Sequence, residues 1–557
     1  MKATKRIFSV FLTCVLAFTM AFAMGLTASA DDTTYTITIT KPEGDIDRTY
    51  EAYQIFKGNL SGNTLSDIEW GTGIDGAAFL TELKKNAPFT SCTDAKTVAE
   101  KLATFANDSD GAVAFAKLAG KFLTTATGSA TATSSATGKI TVPAAGYYLL
   151  KDVTDVTTPH DALSLNILKV VQDVEVNPKA DHPTVDKKIG TDISTGVAAN
   201  EATIGDKVPF VIASKVPQMQ GYTKYFFVLN DSMTAGLTYN KDVAIKIGTT
   251  TLAPTAYDVT YDDTANTMKI VIKDFIQYKS EAGKDIVVTY SATLNEKADL
   301  TQAGNKNTVK LTYSNNPNVD YKGGNEPDST DPVGETPEHV TVTYSTQLQL
   351  TKVDGKDKSK LEGVEFQITG TSIKTAVSKG EYFKQDAAGT YYQLKDGTFT
   401  ETAPTTETES KYVSNSVKYA KVTDSTEQTK MQKVIASGTT DANGLITFKG
   451  LGAGTYYITE LKTLGGYNLL TAPITVTITG TPSATGSGYS WSVSSNAKFE
   501  DDMVKLTVEN NKGSVLPITG GIGTTIFYVI GGLLVCGAVV MAITKKKLSV
   551  EDKADQN

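Results

Sequence analysis

Gln347-Leu348-Gln349-Leu350-Thr351-Lys352 alternates polar and apolar side chains with a period of two, the pattern of a half-buried β-strand. Tyr35-Thr-Ile-Thr-Ile-Thr40 and Ile474-Thr-Val-Thr-Ile478 repeat it elsewhere in the chain. A chain rich in Thr, Val, Tyr and Gly suits strands and turns better than helices. In the opening stretch Lys352 shares its phase with Leu348 and Leu350, so its amine points to the apolar side. A lysine aimed into a core is costly while charged, and desolvation lowers its pKa.

Working outward, one region departs from the strand pattern. Between Ala77 and Ala116, Phe79, Leu80 and Leu83, then Val98, Leu102 and Phe105, recur at helical spacing. Core-facing helices packed on a sheet are expected there. Thr125 to Thr137, rich in Thr, Ala, Ser and Gly, reads as an exposed loop. Two polar, Pro-containing stretches, Asn177 to Pro183 and Ser314 to Pro337, read as boundaries. The resulting division is 31–182, 183–343 and 344–515, and about 490 residues is the right length for some three domains.

Both ends read as processing segments. Lys2, Lys5 and Arg6 precede an apolar run and Ala28-Ser29-Ala30, so residues 1–30 are expected to be a signal peptide. At the other end, residues 525–543 lack any charge and precede Lys545-Lys546-Lys547, as in a membrane span with a cytoplasmic tail. Cys14 and Cys536 lie in these ends, leaving Cys92 alone in the body of the chain. An extracellular protein with no internal disulfide must be stabilised in another way.

Just before the span stands Leu516-Pro517-Ile518-Thr519-Gly520. It resembles the LPXTG sorting signal of Gram-positive surface proteins, complete with apolar span and basic tail. The resemblance implies sortase thioester formation at the Thr519 carbonyl, with residues 521–557 removed along with Gly520. Val174-Glu175-Val176-Asn177-Pro178-Lys179 resembles the WxxxVxVYPK motif of Gram-positive backbone pilins, with Val170 and Asn177 at the two aromatic positions. By that resemblance Lys179 is the nucleophile that resolves the neighbouring subunit's thioester.

Around Lys352 the chain resembles the collagen-adhesin B-type domain. Tyr456, Glu460, Gly466 and Tyr467 match its YxLxETxAPxGY box, and Leu461-Lys462-Thr463-Leu464 departs from the TxAP portion. Glu460 follows Ile458 in phase, and Asn510 follows Leu506 and Val508, with Asn511 as the alternative acceptor. These residue types suffice for a spontaneous amide bond. A neutral lysine attacks the asparagine carboxamide, a buried carboxyl whose pKa burial should raise shuttles protons, and ammonia leaves.

The middle domain resembles the central domain of such pilins. Asp231 lies in a DxMxxGL stretch with Met233, Gly236 and Leu237, and replaces the glutamate. Lys187 shares the phase of Val185 and Ile189, and the acceptor is Asn307 or, in the same phase, Asn315. In the first domain Asp152 falls where Glu460 falls in the third, since Gly146–Asp152 echoes Gly454–Glu460. No final-strand partner stands out, so no such bond is expected there.

The formal net charge is −8, and no basic patch interleaved with aromatics points to nucleic acid. His160, His182 and His339 have no metal-ligand spacing, and no GxSxG, Walker-type or HExxH motif occurs, so neither cofactor nor metal is expected. The expected fold is three tandem immunoglobulin-like β-sandwiches of Cna A/B type. The expected role is the structural backbone of a cell-surface pilus attached to the cell wall. A class C sortase would join Thr519 to Lys179 of the next identical subunit. Tip or minor pilins, a housekeeping sortase and peptidoglycan would be further partners, and host glycan or matrix protein could meet the exposed Tyr and Thr. The alternative is a monomeric wall-anchored adhesin, which needs no Lys179.

Overall fold

The computed structural model describes residues 34–513 except 42–45, 62–63, 107–108, 157–160, 172, 179, 373–374, 379–380, 395–397, 406–417, 426–427, 429–433 and 483–487. The chain is mainly β, and its large sheets pair face to face into three sandwiches in series. Alternation drives this: along Thr346–Asp354, Leu348, Leu350 and Lys352 are all fully buried while Gln347, Gln349 and Thr351 are half-buried.

In the first sandwich, Gly138–Val142, Tyr35–Ile39 and Val174–Val176 form one sheet. Thr64–Trp70, Arg48–Ser61, Gly146–Asp152 and Ile167–Val171 form the other. The helices Gly76–Leu83, Ala95–Leu102 and Asp110–Ala119 pack on it, burying Phe79, Leu83, Val98, Leu102 and Phe115 in one apolar cluster. Asp75, Asp94 and Ser109 cap their N-termini by accepting from backbone N–H groups. The region read as a loop at 125–137 contains a strand instead. Gly128–Ala132 pairs antiparallel with Arg48–Ala52, and Ala132 is buried. Its small side chains carry too weak an apolar alternation to announce a strand.

The middle sandwich sets the sheet Ala199–Glu201, His339–Tyr344, Asn305–Ser314, Phe227–Met233, Thr267–Ile272 and Tyr257–Asp262 against a second one. That second sheet runs Thr250–Thr251, Ala244–Ile247, Asp285–Leu294, Lys207–Lys215 and Asp186–Ile189, with Leu237–Tyr239 also on Asp285–Leu294. The polar stretch after Ser314 reads as a boundary in sequence, but the chain returns from it into the same sheet, since His339–Tyr344 pairs with Asn305–Ser314. Its Asp331 accepts from the backbone N–H of Lys322, Gly323 and Asp328, so its polarity closes the loop on itself. Asp320 and Asn318 from this stretch reach the first sandwich, at Lys117, Lys121, Ser164 and Asn166.

In the third sandwich the sheet is Leu445–Leu451, Thr346–Asp354, Met503–Asn510 and Lys498–Glu500. The facing sheet is Val434–Thr439, Glu365–Ser372, Gly454–Lys462, Ile474–Pro482 and Tyr489–Val493. Short strands between Thr375 and Val422 form a small insertion built on Phe383, Phe399 and Tyr419.

Candidate functional site

Lys187 enters the middle core from Asp186–Ile189, the edge strand of one sheet, while Asp231 and Asn307 come from neighbouring strands of the other. All three side chains are buried. Lys187 Nζ lies 2.6 Å from Asp231 Oδ2 and donates to Asn307 Oδ1. Two tyrosines complete the cluster. Tyr239 donates to Asp231 Oδ1 at 2.8 Å, and Tyr290 donates to Oδ2 at 2.7 Å. Asn307 Nδ2 in turn donates to the Tyr290 hydroxyl at 3.0 Å. The Phe210 and Tyr290 rings flank the amine at 5.6 Å. Burial pushes the Lys187 amine down to about 8, with Asp231 partly opposing the shift.

In the third sandwich Lys352 and Asn510 sit on adjacent parallel strands, and Glu460 projects from the facing sheet. Lys352 Nζ donates to Asn510 Oδ1 at 2.5 Å and lies 3.4 Å from Glu460 Oε1. Asn510 Nδ2 donates to Glu460 Oε1 and to Thr463 Oγ1, both at 2.7 Å. The Leu470 N–H donates to Glu460 Oε2 at 2.8 Å, and the Phe366 ring lies 5.6 Å from the amine. Desolvation again holds the lysine below its ordinary range. Each cluster therefore brings a desolvated amine, a carboxamide carbonyl and a carboxyl into mutual contact.

The first sandwich has the carboxyl but a different cation. Asp152 stands opposite Tyr50 in antiparallel register, as Glu460 stands opposite Phe366. Arg48, from the same strand as Tyr50, meets Asp152 Oδ2 at 3.1 Å, pairs with Asp161 and donates to the Ala162 carbonyl at 2.6 Å. Asp152 Oδ2 also accepts from Ser164 N and Oγ. A guanidinium stays protonated in proteins and is no nucleophile, so this cluster is an ionic clasp.

Asn315 lies away from Lys187, its Nδ2 donating to the Asp161 carbonyl, and Asn511 is exposed beside the buried Asn510. Lys179 and the sorting signal Leu516, Pro517, Ile518, Thr519 and Gly520 lie outside the described residues, as does the span 525–543. Val174–Val176, just before Lys179, is a described strand running parallel to Ile37–Ile39. Among the described residues no group of three or more His, Cys, Asp or Glu side chains could hold a metal ion, and no helix is long and apolar enough to cross a membrane.

Residues 204–317 match the family of Gram-positive pilin backbone subunit 2, Cna-B-like domain, and residues 346–488 match the SpaA prealbumin-like fold domain. These matches include Asp231, Asn307, Lys352 and Glu460 but stop short of Lys187 and Asn510. The trypsin-resistant surface T6 protein of Streptococcus pyogenes serotype M6 is 25% identical over 410 residues, 66% of this chain and 70% of that protein. The structure of the T6 backbone pilin of serotype M6 Streptococcus pyogenes, described as modular and three-domain, aligns with a TM-score of 0.50 at 16% identity. It covers 87% of this chain and all of that one. The full-length major pilin SpaD of Corynebacterium diphtheriae aligns over 87% of this chain and 99% of its own with a TM-score of 0.47 at 15% identity. The middle sandwich thus carries a match to a pilin-backbone domain family and the third a match to a prealbumin-like domain family, and the chain as a whole shares its fold with a three-domain backbone pilin.

Proposed function

We propose that this chain is the structural backbone subunit of a covalent pilus, with amide bonds both between and within its subunits. Within the subunit, Lys187 bonds to Asn307 and Lys352 to Asn510, promoted by Asp231 and Glu460. Between subunits, a class C sortase cleaves after Thr519 and passes the acyl group to Lys179 of the next copy. The finished fibre is then attached to the cell wall. The observation that carries the reading is the pair of buried clusters, each with a lysine amine in hydrogen-bond contact with an asparagine side-chain carbonyl and a carboxyl beside both.

An amine and a carboxamide held in this way react with loss of ammonia, so each bond removes about 17 Da. Intact mass of the purified protein is expected to fall about 34 Da below the processed sequence mass, and a mass equal to it would exclude both bonds. Polymerisation is tested separately, by a cell-wall immunoblot of a Lys179→Ala strain. The high-mass ladder should vanish while the mass deficit of the monomer persists.

A further inference from the structure

The two clusters connect their carboxyl to the leaving nitrogen in different ways. In the third sandwich Glu460 Oε1 takes a hydrogen bond from Asn510 Nδ2 directly, at 2.7 Å. In the middle sandwich the carboxyl is an aspartate, one methylene shorter, and Asn307 Nδ2 instead donates to the Tyr290 hydroxyl, which bonds to Asp231 Oδ2. Lys187 Nζ touches that same Oδ2. Amine, carboxyl, phenol and leaving nitrogen thus form one continuous chain of hydrogen bonds.

We infer that Tyr290 is a catalytic residue of the middle-domain cross-link, relaying a proton from Asp231 to the departing Asn307 nitrogen. This rests on the amide-forming reading above and assigns a step within it. The ammonium of Lys187 first gives a proton to Asp231 Oδ2, and the free amine adds to the Asn307 carbonyl carbon as the C=O π pair moves to Oδ1. Asp231 then passes its proton to the Tyr290 oxygen while Tyr290 gives its own to Nδ2. The new C–N bond's nitrogen sheds a proton back to Asp231. The tetrahedral centre collapses, C=O re-forms and NH₃ leaves. Five protons on Lys187 and Asn307 nitrogens at the start become one on the new amide, three on ammonia and one on Asp231. Charge stays at zero throughout, and no outside acid or base is consumed.

Tyr239 supplies the comparison. It also donates to Asp231, but at Oδ1, and its hydroxyl has no hydrogen bond to Asn307. A role confined to steadying the carboxyl would be shared by both tyrosines, whereas the relay belongs to Tyr290.

The test follows the Lys187–Asn307 cross-linked peptide by mass spectrometry at intervals after cell-free synthesis of the full chain, with the Lys352–Asn510 peptide as internal reference. Tyr290→Phe should slow the middle cross-link by roughly 10²-fold or more, the scale of a lost general acid–base group, and leave the third-domain one unchanged. Tyr239→Phe removes a hydrogen bond to Asp231 but not the path to Asn307, and should slow the middle cross-link far less than Tyr290→Phe does. A Tyr290→Phe rate equal to the unsubstituted one, or equal slowing in both variants, overturns the relay. Should Tyr290→Phe not fold, global 3-fluorotyrosine, a more acidic phenol of nearly the same size, replaces it. The relay then requires a faster middle cross-link relative to the third, and an unchanged ratio overturns it. A missing Lys187–Asn307 peptide in the unsubstituted chain would instead sink the underlying amide reading.

Discussion

Lys352 Nζ reaches Asn510 Oδ1 at 2.5 Å diagonally across two parallel strands, for in the register Lys352 is opposite Val508 and Asn510 opposite Asp354. These are the first and last long strands of the third sandwich, 158 residues apart in sequence at this contact. A bond here would carry tension from Thr346 through Lys352 straight to Asn510, bypassing everything between. The middle sandwich arranges the same bypass differently. Lys187 and Asn307, 120 residues apart, belong to opposite sheets, so their bond would tie the sandwich through its core.

Removing one carboxyl should remove one bond. Glu460→Gln and Asp231→Asn keep the shape of each cluster but supply no proton acceptor for the amine. Each is expected to restore about 17 Da to the intact mass, additively in the double variant. Losing closure of loops longer than 100 residues should cost the affected domain about 4–5 kcal/mol, by analogy with disulfides, read from denaturant unfolding.

The un-cross-linked middle domain should grow more stable as pH rises. In Asn307→Ala the Lys187 amine stays buried, with a folded pKa near 8 against an ordinary value of 10.5. Below about 8 both states carry the proton, and the cost of burying that charge is present in full. Between about 8 and 10.5 the unfolded state binds more protons than the folded one, so unfolding free energy rises with pH, by at most roughly 3 kcal/mol. Urea midpoints at pH 7 and 9.5 check this, and a midpoint that fell over that range would contradict the assigned direction.

What was legible in the sequence is what depends on strand phase. Lys187, Lys352, Glu460 and Asn510 each continue an apolar alternation, and period two points them into a core without any knowledge of the partner sheet. Tyr239 and Tyr290 were not legible, because their meeting with Asp231 depends on how two sheets pack face to face. Arg48 shares the phase of the buried Tyr50 and Ala52, but nothing in its own strand names the carboxylates it meets. Its partners Asp152 and Asp161 lie more than 100 residues on. Thr463 was hidden by the departure of residues 461–464 from the B-type box. Phase also could not separate Asn307 from Asn315; the structure does, since Asn307 lies within the strand Asn305–Ser314 and Asn315 just past its end.

Arg48 gives the first domain a different weakness. Arg48→Met would leave Asp152 and Asp161 facing each other in a dry site without their cation. The expected loss is about 3–5 kcal/mol for the first domain, seen as an early unfolding transition in urea. The mass deficit should be untouched, because neither proposed bond lies in that domain. Arg48→Lys keeps the charge but cannot bridge both carboxylates with a planar fork, and should fall between the two.

The joint between the middle and third sandwiches depends on a residue with no side chain. Gly450 has φ +72°, and its carbonyl accepts from the Ile204 N–H at 2.9 Å. A Cβ there would overlap Ile204 Cδ1 and Cγ1. Thr203 Oγ1 accepts from the Gly452 N–H at 3.1 Å beside it, so the loop 203–204 and residues 450–452 meet across the joint, where Tyr489 also bonds to Gln302 and Glu201. Gly450→Ala should cost about 1–2 kcal/mol for the left-handed backbone and also push Ile204 out of its seat. Small-angle scattering should then show a wider spread of interdomain angles. Adding Ile204→Ala removes the collision but not the backbone strain, so the double variant should regain the narrow spread of angles without regaining stability. If the single variant scattered like the unsubstituted protein, the seat of Ile204 on Gly450 would not be what orients the domains.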